Sequence, residues 1–126
     1  MLKIVEQSGI LLVLEYLMSR NQGGNSMNKL SLYTKFMTHE GQRDSLDQML
    51  LEAANGMKSV DGCDLYVVNI SDSDLKCVWV TEIWNDPLAH QTSLSLGEAK
   101  VLIQMARPLI AGIEQIKLHP LGGKGI

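Results

Sequence analysis

The chain has 126 residues, of which 45% are hydrophobic and 20% charged, and its 11 basic and 14 acidic side chains give a formal net charge of −3. This length and apolar content suit one globular domain with a sizeable core, and they exclude a disordered tail or a fibre. The basic residues are mixed with acidic ones and form no stripe that would meet a phosphate backbone, so we expect no nucleic-acid partner.

The first 27 residues are predicted to be an appendage or a leader that lies outside the functional domain. Apolar side chains recur at helical spacing over residues 8–20, which predicts a short amphipathic helix. Glu6 and Glu15 keep the apolar run far below the roughly 18 residues that a membrane span requires, and no Ala-x-Ala-like cleavage site follows. We therefore expect no membrane partner, and we expect the domain to cover residues 28–126.

The domain opens with one strand pattern and one helix pattern. Residues 30–37 alternate between apolar and more polar side chains, which predicts a half-buried strand. Residues 42–58 carry apolar side chains three and four positions apart, which predicts an amphipathic helix with one buried stripe.

A hairpin is predicted next. Asp61 and Gly62 form a turn signal, and two β-rich runs, residues 63–70 and 77–84, are joined by a short polar loop. Cys63 and Cys77 are the only cysteines, and they have no zinc-like spacing. They would lie at opposite ends of the hairpin, beyond the roughly 7 Å between Cα atoms that a disulfide allows. We therefore expect two buried, reduced thiols in a cytoplasmic protein.

Two helices and a last strand complete the pattern. Asp86 and Pro87 suit the N-cap and first position of a short helix. Residues 95–110 predict a longer helix that Pro108 kinks or ends and that Gly112 stops. Residues 113–119 alternate and predict the final strand.

The order of elements is therefore β-α-β-β-α-β, an α+β arrangement with a four-stranded antiparallel sheet and both long helices on one face. The two hairpin strands carry apolar or aromatic residues at both parities, so both faces of the sheet require cover. A second copy of the chain is the simplest supplier of that cover. The pattern thus predicts a homodimer packed sheet to sheet.

On this topology four segments carry a family resemblance: Asp61-Gly62-Cys63-x-x-Tyr66, Glu82-Ile83-Trp84-Asn85-Asp86, Ala89-His90 followed by Ser93, and Gly122-Gly123-Lys124-Gly125. By their order and spacing, residues 28–126 resemble the antibiotic biosynthesis monooxygenase domain family, particularly its small members called quinol monooxygenases. The resemblance implies a ferredoxin-like fold whose dimer forms a shared α+β barrel, with a pocket between sheet and helices. It also implies reaction of molecular oxygen with a small aromatic substrate such as a quinol or an anthrone, without a metal or flavin cofactor.

Five side chains are candidates for the site. His90 is the expected proton acceptor, because an imidazole with an ordinary pKa near 6.5 exchanges protons at physiological pH. Trp84 is the expected wall for an aromatic ring, and Glu82 the carboxylate that orients His90. Tyr33 and Tyr66 are candidates to direct phenol groups toward the substrate. Each also has a structural alternative, as an exposed helix histidine, a core tryptophan, a solvent-facing or interface carboxylate, or packing tyrosines.

Two other functions stay open. Some relatives of the fold bind and degrade haem with an asparagine on the first strand, a tryptophan and a histidine ligand. Trp84 and His90 match the last two, but the strand over residues 30–36 has no asparagine, which disfavours haem degradation. The other alternative is a non-catalytic dimer that binds a small hydrophobic metabolite. The chain has no Ser-His-Asp spacing, no H-E-x-x-H and no G-x-G-x-x-G.

Overall fold

The computed structural model describes residues 2–4 and 29–126. In chain order its elements are β1 (Leu2–Ile4), β2 (Leu30–Thr38), α1 (Arg43–Gly56), β3 (Cys63–Ile70), β4 (Cys77–Trp84), α2 (Pro87–Leu94), α3 (Gly97–Ala106) and β5 (Ile110–Leu118). Single 3₁₀ turns, Met57–Ser59 and Arg107–Leu109, follow α1 and α3. The helix predicted over residues 8–20 lies outside the described residues.

One antiparallel sheet organises the chain. Its strand order is β1-β5-β2-β4-β3, and every neighbouring pair is antiparallel. The four long strands with α1 and α3 form the predicted β-α-β-β-α-β ferredoxin-like arrangement, so the predicted fold class is confirmed. The three residues of β1 add an edge strand beside β5, with Leu2 opposite Gln115. No pattern in the sequence predicted this strand.

The hairpin bounds match the prediction, but the end of the last helix does not. α3 ends at Ala106, and β5 already begins at Ile110, so Gly112 lies inside a strand opposite Met37 instead of stopping a helix. Pro108 ends the helix earlier because it cannot donate a backbone hydrogen bond, and only the 3₁₀ turn follows. The pairing shifts by one residue between Met37 and Thr38, which is the register change of a β-bulge.

The two cysteines are unpaired as predicted, but only one of them has the predicted burial. Both thiols are free, as expected for positions near opposite ends of the hairpin. Cys77 is buried, whereas Cys63 is half-buried because it lies on β3, which is an edge strand of the sheet.

The helices cover one face of the sheet and divide its core into two clusters. The larger one packs α1 and α3 against the centre of the sheet, and it contains Leu46, Leu50, Val78, Val80, Ala106, Ile110 and Ile113. The smaller one contains Leu30, Leu32 and Trp84, with Met57, Val60, Cys63 and Ala89 packed against it. Along β4, residues 78, 80, 82 and 84 face the helices, so a single carboxylate, Glu82, stands between the two clusters.

The other face of the sheet, called the uncovered face below, carries no helix among residues 29–126. Five of its large hydrophobic side chains have exposed fractions between 37% and 49%: Tyr33, Leu65, Val67, Ile116 and Leu118. Both faces of the sheet therefore carry large apolar side chains, in agreement with the apolar residues at both parities of the two hairpin strands. None of the helices in the described part of the chain combines the length and apolar content needed to cross a bilayer.

Candidate active site

A cavity of about 340 Å³ lies between the covered face of the sheet and helices α1 to α3. This volume is within the range of small-molecule sites, and most of the wall is apolar, as in such sites. Few buried polar side chains interrupt the apolar wall. They are Thr34, Glu82, His90, Ser93 and Gln115, together with the half-buried Tyr66.

β4 carries Glu82 into the cavity wall at a position only 8% exposed. Its Oε1 accepts a hydrogen bond of 3.0 Å from Nε1 of Trp84, two residues later on the same face of the strand. No other described side chain donates a hydrogen bond to this carboxyl group. Burial raises the pKa of Glu82 to about 7, and the hydrogen bond from Trp84 lowers it and so offsets part of that effect. The carboxyl group therefore exchanges protons near neutral pH.

Helix α2 brings His90 to the carboxylate. Asp86 caps the helix by accepting a 2.8 Å hydrogen bond from the backbone nitrogen of Ala89, and Pro87 occupies the first turn, as predicted. Gly62 lets the helix approach the sheet, because its φ is +91° and an added Cβ would stand 2.5 Å from Cβ of Ala89. The turn signal in the sequence thus has a second role, which is to seat the helix that carries His90.

His90 is held in a dry setting beside both neighbours. Its Nε2 lies 3.9 Å from Oε1 of Glu82, longer than a hydrogen bond, and its ring meets the Trp84 ring edge-on at a centroid distance of 5.3 Å. Burial, with a smaller contribution from the positive charge of Lys117, lowers the pKa of His90 to about 4. At neutral pH the imidazole is therefore uncharged, and it makes no ion pair with Glu82.

The structure brings together four of the five candidate residues and separates the fifth. Glu82, His90 and Tyr66 line the cavity, and Tyr66 pairs directly with Glu82 across the hairpin. Burial, followed by the charges of Glu82 and Cys63, raises the pKa of the Tyr66 phenol.

Trp84 is fully buried behind Glu82 and His90, so it contacts them without forming the cavity wall proposed for it. Tyr33 lies on the opposite, uncovered face of the sheet and not in the cavity. The reason is that residue 33 has the opposite parity to Leu32 and Thr34, which face the helices.

Three buried polar residues of the cavity, Thr34, Ser93 and Gln115, were not among the five candidates. Gln115 and Thr34 are buried in the wall, and Nε2 of Gln115 donates a 2.9 Å hydrogen bond to Oγ1 of Thr34. The alternation in the last strand could not reveal Gln115, because Ile116 and Leu118 looked equally suited to the covered face. No group of three or more histidine, cysteine, aspartate or glutamate side chains that could hold a metal ion occurs among the residues described.

Comparison with known proteins gives matches among solved structures only. No protein-family model and no curated protein matches the chain. A structure from Chloroflexus aurantiacus, provisionally named an antibiotic biosynthesis monooxygenase, is 39% identical, covers 78% of this chain and 98% of its own, and superimposes with a TM-score of 0.70.

Two further structures with the same provisional name share the fold at lower identity. The one from Deinococcus radiodurans is 21% identical, covers 77% of this chain and 97% of its own, and has a TM-score of 0.68. The one from Caulobacter crescentus is 15% identical, covers 76% of this chain and 92% of its own, and has a TM-score of 0.71.

Proposed function

The chain belongs to the antibiotic biosynthesis monooxygenase family, and from that premise we propose that it oxidises a small electron-rich aromatic substrate with molecular oxygen and without a cofactor. A quinol, an anthrone or a similar phenol has the required chemistry. The observation that carries the proposal is the buried Glu82–His90 pair in an apolar cavity of about 340 Å³, because it combines a proton acceptor with a dry binding space.

The chemistry needs little from the protein. Ground-state oxygen reacts poorly with closed-shell molecules, but a phenolate donates an electron to it readily. The protein has to remove the hydroxyl proton and to keep water away from the anion. One oxygen atom then enters the substrate and the other leaves as water. A quinol becomes a hydroxyquinone, and the substrate itself supplies all four electrons, so the balance requires no external reductant.

The pKa values change the roles that the sequence suggested. A general acid or base works best when its pKa lies near the operating pH, which favours the carboxylate of Glu82, with a pKa of about 7, as the proton acceptor. His90, with a pKa of about 4, acts as a neutral hydrogen-bonding group beside it. Trp84 holds Oε1 of Glu82 in place and is a positioning residue, and Tyr66 contacts the substrate at the same end.

We also propose that the uncovered sheet face is the surface of a homodimer. Five large hydrophobic side chains between 37% and 49% exposed support this, since such patches mark interaction sites. Tyr33 would then belong to the interface. Sedimentation equilibrium should give a dimer for the wild type and a monomer for the double variant Val67→Lys and Ile116→Lys. A wild type that stays monomeric at all concentrations would refute the interface.

The catalytic proposal is tested by following oxygen uptake with a panel of hydroquinones and anthrones. Glu82→Gln preserves the shape of the side chain and removes the base, and His90→Ala removes the imidazole. Glu40→Gln, the same change at an exposed position outside the cavity, is the matched control. We expect Glu82→Gln to lose at least about 100-fold in rate while the control keeps its rate. Equal rates for the wild type and both site variants would refute the assigned roles.

The same preparations separate the two alternative functions. Titration with haemin should give no saturable binding, because Nε2 of His90 is buried beside Glu82 and Trp84 instead of facing an open coordination position. A Soret band that disappears in His90→Ala would favour haem chemistry. Thermal stabilisation by aromatic ligands without any oxygen uptake would favour the non-catalytic binding module.

A further inference from the structure

Gln115 is a buried amide that the proposed chemistry does not use. It lies on β5, lines the cavity and is 8% exposed, and Nε2 donates to Thr34 Oγ1 at 2.9 Å. Its Oε1 is buried, and no residue in the described part of the chain donates a hydrogen bond to it. One half of the amide is thus satisfied and fixed by Thr34, and the acceptor half is left without a partner.

An unsatisfied acceptor at this place is unfavourable unless a ligand completes it. The surrounding wall is formed by apolar side chains, among them Phe36, Ile110 and Ile113. An apolar residue at position 115 would fill the same space without the cost of burying a polar group, and buried polar atoms in folded proteins almost always have partners. A buried carbonyl oxygen can accept only, so the missing partner is a hydrogen-bond donor.

The strand register places this acceptor away from the Glu82 end of the cavity. Thr34 pairs with Val80 on one side and with Gln115 on the other, and Leu32 pairs in the same way with Glu82 and Lys117. Gln115 is therefore two strands across and two residues along from Glu82, which corresponds to roughly 12 Å between their Cα atoms. Both side chains extend from one face of the sheet, so a flat ligand that lies on this face meets one polar group at each end.

We propose that Gln115, held by Thr34, is a specificity-determining residue that accepts a hydrogen bond from a second hydroxyl group, at the end of the substrate remote from Glu82. The ligand class is an aromatic diol whose two hydroxyl groups lie at opposite ends of an apolar ring system. This inference rests on the proposed function for the role of the first hydroxyl group. The second contact is a matter of binding and is independent of turnover.

The test compares 1,4-dihydroxynaphthalene with its monomethyl ether, 4-methoxy-1-naphthol, which keeps one hydroxyl group and lacks the other donor. Binding is measured by isothermal titration in the absence of oxygen, so that no substrate is consumed. We expect the wild type to bind the diol at least about tenfold more tightly than the ether, because the ether leaves the amide oxygen unsatisfied. Gln115→Leu should abolish this preference because it lowers the affinity for the diol. Its affinity for the ether should stay within about twofold of the wild-type value.

Companion variants distinguish a contact with the ligand from a change in the wall. Thr34→Ser keeps the hydroxyl group that holds the amide and should keep the preference, whereas Thr34→Val should reduce it. Met49→Leu alters the apolar wall and should change both affinities equally. Thermal unfolding of each variant confirms that the compared proteins are folded.

The outcomes are distinct. Equal affinity of the wild type for diol and ether, or an unchanged preference in Gln115→Leu, would overturn the proposal while oxygen uptake could still support the catalytic function. Tighter binding of 1,4-naphthoquinone than of the diol would show that the amide presents its N–H group, and this would overturn the hydroxyl assignment. If the preference for the diol depends on Gln115 but the protein consumes no oxygen, the subsite is supported and the oxygenase function is refuted.

Discussion

Glu82 and His90 make opposite contributions to the pH dependence of folding stability. The pKa of Glu82 is raised from 4.5 to about 7, so between these values the folded chain binds more protons than the unfolded chain, and stability falls as the pH rises. The pKa of His90 is lowered from 6.5 to about 4, so the unfolded chain binds more protons in that window and stability rises with pH. From about pH 4.5 to about pH 6.5 the two effects oppose each other.

Single substitutions should reveal each effect. Each displacement of the pKa corresponds to about 3 kcal/mol across its window, since one pH unit is worth about 1.4 kcal/mol per group. Relative to the wild type, Glu82→Gln should gain up to about 3 kcal/mol in free energy of unfolding as the pH rises from about 4.5 to about 7. His90→Leu should lose a similar amount between about pH 4 and about pH 6.5.

The assay is urea unfolding at a series of pH values, with the difference between variant and wild type taken at each pH. This difference removes the contributions of all carboxylates and histidines that the two proteins share. Because both residues are less than 10% exposed, solvent screening does not weaken the expected slopes greatly. Differences that stay flat with pH, or slopes of the same sign in the two variants, would refute the assignment of buried carboxyl and neutral imidazole.

Three further changes test how the site is held. Trp84→Phe removes the hydrogen bond to Glu82, so it should destabilise the fold by about 1–3 kcal/mol. It should also move the acid limb of the pH–rate profile to higher pH, and a shift to lower pH would contradict this. Gly62→Ala places a Cβ against Ala89 at positive φ, so it should lower the free energy of unfolding in urea by more than about 1 kcal/mol and reduce oxygen uptake. Wild-type values would contradict the role of Gly62 in letting α2 pack against the sheet. Asp86→Ala removes the N-cap and should cost about 0.5–2 kcal/mol, measured by thermal unfolding, while Asp86→Asn should keep most of that stability.

The sequence predicted the sheet well where two signals agreed. β3 and β4 have the predicted bounds, because β-rich runs and turn residues delimit them together. At the end of α3 the signals conflicted, since helical spacing continued past Pro108 while the proline removed a backbone donor. The proline prevailed, and Gly112 became part of β5.

Faces of the sheet were harder to predict than strands. When both parities of a strand are apolar or ambiguous, alternation shows that two faces exist without showing which one the helices cover. Tyr33 was therefore assigned to the substrate although it lies on the uncovered face, and Gln115 was missed although it lies in the cavity. The cluster of Glu82, Trp84 and His90 could be predicted because it spans one strand end and the helix after it, where neighbours in sequence remain neighbours in space.

In the proposed mechanism the carboxylate of Glu82 removes the proton that prepares the substrate for oxygen. The most direct measurement is the pH dependence of oxygen uptake with an aromatic diol, for the wild type and for Glu82→Gln. The wild-type rate should rise with pH around an apparent pKa of about 7, and Glu82→Gln should lose this dependence together with at least about 100-fold of the rate. A Glu82→Gln variant with the rate and pH profile of the wild type would contradict it.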